Sequence, residues 1–134
     1  MVKMRVRYEG QKHCELTHEP SQVHIATDAP KDNQGKGESF SPTDLVGAAL
    51  GSCILTTMAL SLEQEGVSLE GAQATVEKVM TGAPRRIESL SIHLQLPAGL
   101  TSEQRLKAEE IAHSCPVQRS LHPDVQLPVH ISYI

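Results

Sequence analysis

Residues 41–62 read SPTDLVGAALGSCILTTMALSL, and no charged residue follows Asp44 in this stretch. Ser41 suits a helix N-cap, Pro42 suits the first helical position, and Asp44 completes a capping box. Apolar and small residues cover every side of this helix, which is typical of a helix buried in a core or crossing a membrane. The uncharged run of 18 residues is diluted by glycine and hydroxyl side chains. We therefore predict a buried central helix that ends before Gly66.

Length and composition favour one soluble domain over residues 1–134. The net charge of −4 and the presence of only three aromatic residues argue against a nucleic-acid partner. The N-terminus alternates charged and apolar residues, so it is no signal peptide, and we expect no membrane association. Three cysteines without CxxC spacing do not form a disulfide framework, which favours a reducing, cytoplasmic location.

The remaining elements follow from hydrophobic periodicity and turn residues. Period-two alternation predicts strands at residues 3–9, around 14–16, at 23–27, 73–80 and 88–96, and helical spacing predicts a helix at 100–114. A short helical turn is expected at 117–121 and a last strand at 125–133, where Pro128 indicates an edge position or a bulge. This order predicts an α+β fold, with antiparallel sheets around the long central buried helix.

Three motifs carry a resemblance to a known family. Ser41-Pro-Thr-Asp-Leu, Ala48-Ala-Leu-Gly-Ser-Cys53 and His113-Ser-Cys-Pro116 together resemble the OsmC/Ohr family of hydroperoxide-reducing proteins, over the whole chain. The resemblance implies an intertwined homodimer with two active sites at the subunit interface. It also implies a peroxidatic thiol at Cys53 and a resolving thiol at Cys115, which form a disulfide on turnover in a stress response.

The chemistry can also be argued from the two cysteines. A thiolate that attacks the O–O bond becomes a sulfenic acid, which condenses with a second thiol. Cys53 lies inside the central helix, and Cys115 lies on the apolar face of the second helix, so the two thiols could meet across a core. The alternative is that both are inert, because a free buried cysteine is a common small apolar residue.

Two positions near the start of the central helix differ from Ohr proper. Ohr-type members carry a glutamate directly after the proline, where this chain has Thr43, and the acid falls one position later, at Asp44, as in the broader OsmC-like branch. At about 100° per residue, Asp44 lies roughly 180° around the helix from Cys53, and Thr43 roughly 80°. We therefore expect Asp44 to cap the helix, with a catalytic role as the alternative.

The arginine that Ohr-type members carry in an N-terminal loop is also missing, since no arginine occurs between Arg7 and Arg85. A cysteine in apolar surroundings needs a nearby cation to lower its pKa. Arg119 is favoured because it follows Cys115 by four residues, and it could equally be a solvated surface charge. The other candidates are Arg5, Arg7, Lys36 and Arg86.

The leading hypothesis is therefore a thiol peroxidase that reduces organic hydroperoxides and is re-reduced by an external dithiol. No organic cofactor is required. The spacing of His13, Cys14, His18 and His24 fits no common zinc pattern, so we expect no metal. The alternative is a non-catalytic small-molecule-binding protein, or a thiol redox sensor, on the same fold.

Overall fold

The computed structural model describes all 134 residues, which form two compact units, Met1–Val46 and Gly47–Ile134. The first unit contains a three-stranded antiparallel sheet in the order β1-β2-β3. Its strands are β1 (Met4–Tyr8), β2 (His13–His18) and β3 (Val23–Asp28). The predicted N-terminal meander is confirmed. The polar loop after β3 contains one unpredicted turn of 3-10 helix, Lys31–Asn33.

The second unit contains the helices and a second sheet. Helix α1 (Pro42–Leu62) has its first turn in the first unit and continues through the second. It is followed by β4 (Gln73–Thr81), β5 (Arg86–Leu96), α2 (Ser102–Ala112), α3 (Pro116–Ser120) and β6 (Val129–Tyr133). The α+β class, the long central helix and the second helix are confirmed.

The second sheet is mixed, which corrects the expectation of antiparallel sheets throughout. Its order is β4-β5-β6, and β6 pairs with β5 in parallel. Parallel neighbours need a long crossover connection, and here α2 and α3 supply it. The predicted edge position near Pro128 is confirmed, since β6 is the outer strand and the Pro128 carbonyl accepts the Ile92 N–H at 2.8 Å.

Within the single chain, helix α1 is buried along one face. The buried positions recur every three or four residues: Gly47, Leu50, Gly51, Ile54, Met58 and Leu62. Ala48, Ser52, Thr56 and Leu60 are exposed. Residues 42–65 are long and apolar enough to span a membrane, by length and composition alone. The core helices of soluble proteins meet the same criterion.

Glycine lets α1 approach β4 closely. A Cβ atom added at Gly51 would lie 3.1 Å from Cγ2 of Val76 and 3.5 Å from Cβ of Ala74. Leu90, Ile92, Leu94 and Leu96 of β5, which the alternation places on one face, are all buried. Ala108, Ala112 and Cys115 are also buried, so the end of α2 and Cys115 belong to the core of this unit.

Candidate thiol site

Cys115 lies in the core of the second unit, between two helices. It is the N-cap residue of α3, with an extended backbone (φ −69°, ψ 157°), and Pro116 occupies the first helical position. Its side chain has no measurable solvent exposure. The sequence produces this geometry because proline cannot continue α2 but suits the start of a new helix.

Cys53 lies in the middle of α1 and is half-buried. It directly precedes the fully buried Ile54 and follows the exposed Ser52, so it sits at the border of the buried face. Its Sγ is 3.9 Å from Oγ1 of Thr57, one helical turn further on. Cys53 is therefore more accessible than Cys115.

The Cys53 thiol influences the pKa of Cys115. Burial is the main cause that raises the pKa of the Cys115 thiol, and the backbone N–H of Gln118 acts against it. Cys53 raises that pKa further, through a side-chain hydrogen bond and through its charge, while the Val117 N–H slightly lowers it. Neither N–H forms a full capping hydrogen bond with the sulfur. Burial and the nearby Cys53 thiol thus favour the protonated form of Cys115.

The two sulfurs differ in their exposure to solvent. Half-buried Cys53 is open to a small oxidant, whereas Cys115 is shielded from solvent. Both are free thiols in this structure. The third thiol, Cys14, belongs to the first unit, where it lies in β2 opposite Tyr8 and Thr27. The peroxidatic and resolving roles remain predictions.

Thr43 and Asp44 take part in capping α1. The Ser41 N–H donates to Oδ2 of Asp44 at 2.9 Å, and the Asp44 N–H donates to Oγ of Ser41 at 3.0 Å. Oγ1 of Thr43 lies 3.2 Å from Oγ of Ser41. The capping role predicted for Asp44 is confirmed. A catalytic role for either residue stays a prediction.

Four of the five candidate cations have other partners. Arg5 pairs with Glu19, Arg7 with Glu9 and Glu15, Lys36 donates to Gln11, and Arg86 donates to the Ile87 carbonyl. Arg119 is exposed in the last turn of α3, and the main causes of the Cys115 pKa shift include no basic side chain. Its role as the activating cation stays a prediction.

Sequence reasoning missed two features. Oε1 of Gln118 is buried without a hydrogen-bond partner. Gln118 follows Cys115 by three residues, as Gln104 follows Thr101 in the predicted capping box of α2. This spacing could have indicated from the sequence that Gln118 lies near Cys115. The second feature is His13, whose Nδ1 lies 2.6 Å from Oδ1 of buried Asp28. This hydrogen bond raises the pKa of His13 and lowers that of Asp28.

Comparison with known proteins agrees with this architecture. The family model of OsmC-like proteins matches residues 35–129. No curated protein matches the chain. A crystal structure from Psychrobacter arcticus, provisionally named an osmotic stress induced and detoxification response protein, is 38% identical, with a TM-score of 0.94 over 98% of this chain and 96% of that one.

Two more distant structures share the fold. An organic hydroperoxide resistance protein OsmC from Legionella pneumophila is 17% identical, with a TM-score of 0.79 over 98% of this chain and 96% of that one. An organic hydroperoxide resistance protein from Elizabethkingia anophelis is 16% identical, with a TM-score of 0.78 over 100% and 96%. The match to the family model and the 38% identity over nearly the full length show that this chain belongs to the family of OsmC-like proteins.

Proposed function

We propose that this protein reduces organic hydroperoxides with the thiols of Cys53 and Cys115. The observation that carries the proposal is that half-buried Cys53 lies near enough to fully buried Cys115 to raise the pKa of its thiol. Family membership supports it, because relatives with this fold include proteins named for organic hydroperoxide resistance. A pair of inert core cysteines would not require one of the two to remain accessible.

The reaction balances with the two cysteines and a dithiol. The Cys53 thiolate attacks the hydroxyl-bearing oxygen of ROOH, the O–O bond breaks, and RO⁻ takes a proton to leave as ROH. Cys53 is then a sulfenic acid, which condenses with the Cys115 thiol to give a disulfide and water. An external dithiol returns both sulfurs to thiols and becomes a disulfide itself. A reducing compartment such as the cytoplasm would supply that dithiol.

We also propose that the active form is a homodimer. The register of the first sheet places Val6, Leu16 and Ile25 side by side on one face. On this face Val6 is 61% and Ile25 49% exposed, and Met4, Tyr8 and Val23 are exposed beside them. A contiguous apolar surface of this kind is typical of a protein interface. A second copy of the chain would cover it.

The experiment is a turnover assay with cumene hydroperoxide and dithiothreitol. Cys53→Ser should abolish peroxide consumption, and Cys115→Ser should allow one oxidation but slow repeated turnover strongly. Cys14→Ser is the matched control and should retain the wild-type rate. Peptide mapping after one equivalent of peroxide should find a Cys53–Cys115 disulfide. A main disulfide that contains Cys14, or full activity in Cys53→Ser, would reject the proposal.

The second candidate is a thiol redox sensor or a small-molecule-binding protein. The observation that favours it is that burial, not a basic side chain, dominates the environment of Cys115, while four of the five candidate cations pair elsewhere. A sensor would oxidise once per molecule and stop. Peroxide consumption far beyond one equivalent per subunit, in the presence of dithiol, separates the enzyme from the sensor.

A further inference from the structure

The side chain of Gln118 has no role in the reaction proposed for Cys53 and Cys115. Its Oε1 atom is buried without a partner, a condition shared by only one other side-chain atom, the hydroxyl oxygen of Tyr133. The Tyr133 ring lies under the guanidinium of Arg105, 3.9 Å from the ring centre. Native proteins pair nearly all buried polar atoms, and an exception calls for an explanation such as a catalytic role or an ordered water.

Gln118 is tied to the thiol pair by its place in α3. It is the third residue of this helix, Cys115 is the N-cap, and the backbone N–H of Gln118 lowers the pKa of the Cys115 thiol. The side chains of the N-cap residue and the third helical residue lie on the same side of the first turn. Gln118 therefore lies one helical turn from Cys115.

Helix α2 provides an internal comparison. Gln104 is also the third residue of its helix, and its Oε1 accepts the N–H of the N-cap residue Thr101 at 2.9 Å. Gln118 has the same spacing from its own N-cap but makes no such bond. The free acceptor is thus a property of this site and does not follow from glutamine at this helical position.

We propose that Oε1 of Gln118 accepts the O–H hydrogen of the substrate hydroperoxide, an inference that rests on the proposed function. The hydroxyl-bearing oxygen of ROOH is the atom that Cys53 attacks. When the O–O bond breaks, this oxygen keeps its hydrogen and becomes the hydroxyl of the Cys53 sulfenic acid. One acceptor therefore holds the same O–H group before and after transfer. Gln118 would select hydroperoxides and orient the attacked oxygen toward sulfur.

The test separates this role from a structural one with two reagents. Oxidation of Cys53 by tert-butyl hydroperoxide and its alkylation by iodoacetamide, which brings no O–H group, are both followed in a Cys14→Ser background under single-turnover conditions. Gln118→Met removes the acceptor at similar volume and should slow oxidation about tenfold, the effect of one lost hydrogen bond. Alkylation should stay within twofold. Gln118→Leu is a second apolar replacement.

Two variants serve as controls. Gln118→Glu keeps an acceptor oxygen, and any effect of its new charge on the Cys53 thiolate acts on both reactions, so the ratio of oxidation to alkylation should stay near that of the parent. Gln104→Met removes the matched glutamine of α2 and should change neither rate. Equal slowing of both reactions by Gln118→Met, or unchanged oxidation in it, would overturn the inference while leaving the peroxidase proposal intact. A parent protein that does not react with the peroxide would overturn both.

Discussion

Replacing Gly51 by alanine should destabilise this protein, whereas the same replacement at Gly47, one turn earlier on the same helix face, should stabilise it. Both glycines are buried where α1 packs on the second sheet. At Gly47 the new Cβ would lie 3.4 Å from Cδ2 of Leu90 and 3.5 Å from Cγ1 of Val76, which is ordinary contact. At Gly51 it would lie 3.1 Å from Cγ2 of Val76, closer than side chains normally pack.

The expected magnitudes follow from two opposing effects. Alanine in a helix interior is favoured over glycine by about 0.8–1.0 kcal/mol. With space available, Gly47→Ala should therefore raise the free energy of unfolding by about 1 kcal/mol. At Gly51 the same gain is opposed by overpacking, which costs about 1–3 kcal/mol, and Val76 cannot yield easily because a valine side chain is stiff. A net loss of about 1 kcal/mol is expected, which separates the two variants by about 2 kcal/mol.

Urea unfolding followed by circular dichroism, with the thiols kept reduced and the protein concentration fixed, measures both changes. Val76→Ala removes the crowded methyl group, so in the Gly51→Ala background it should cost at least about 1 kcal/mol less than in the wild type. The reasoning fails if Gly51→Ala is as stable as Gly47→Ala. It also fails if the cost of Val76→Ala is the same in both backgrounds.

Three further predictions concern the first unit and the start of α1. His13→Gln should cost more stability at pH 5.5 than at pH 9, because the hydrogen bond with Asp28 raises the pKa of His13. The stability that protonated His13 contributes is fully present below pH 6.5 and is lost as the pH rises through the raised pKa. Equal cost in urea unfolding at both pH values would contradict the pairing of His13 with Asp28. Ser41→Ala should lower the free energy of unfolding by about 1 kcal/mol, because it removes the side-chain acceptor of the capping box, and an unchanged urea midpoint would count against that bond. Changing Val6 and Ile25 to lysine should shift the light-scattering mass from dimer toward monomer, because charge would replace the exposed apolar face; an unchanged dimer mass would exclude this face from the interface.

The sequence alone determined most of the local structure. The Ser41 and Asp44 capping box, with proline between them, is a local signal, and the helix begins there as predicted. The alternation in β5 correctly assigned its buried face, because a strand has only two faces. The two reactive-thiol candidates were likewise recognisable, since each lies in a short sequence motif.

Only the tertiary structure decided how these elements combine. Apolar residues on every side of α1 gave no direction of burial. The buried face is the one on which Gly51 lies so close to Val76 that a Cβ atom would be crowded. The parallel pairing of β6 depends on the path of the crossover through α2 and α3, which no local pattern specifies. The effect of Cys53 on Cys115 depends on packing between segments that are distant in sequence. The unpaired Oε1 of Gln118 depends on the lack of a donor from any such segment.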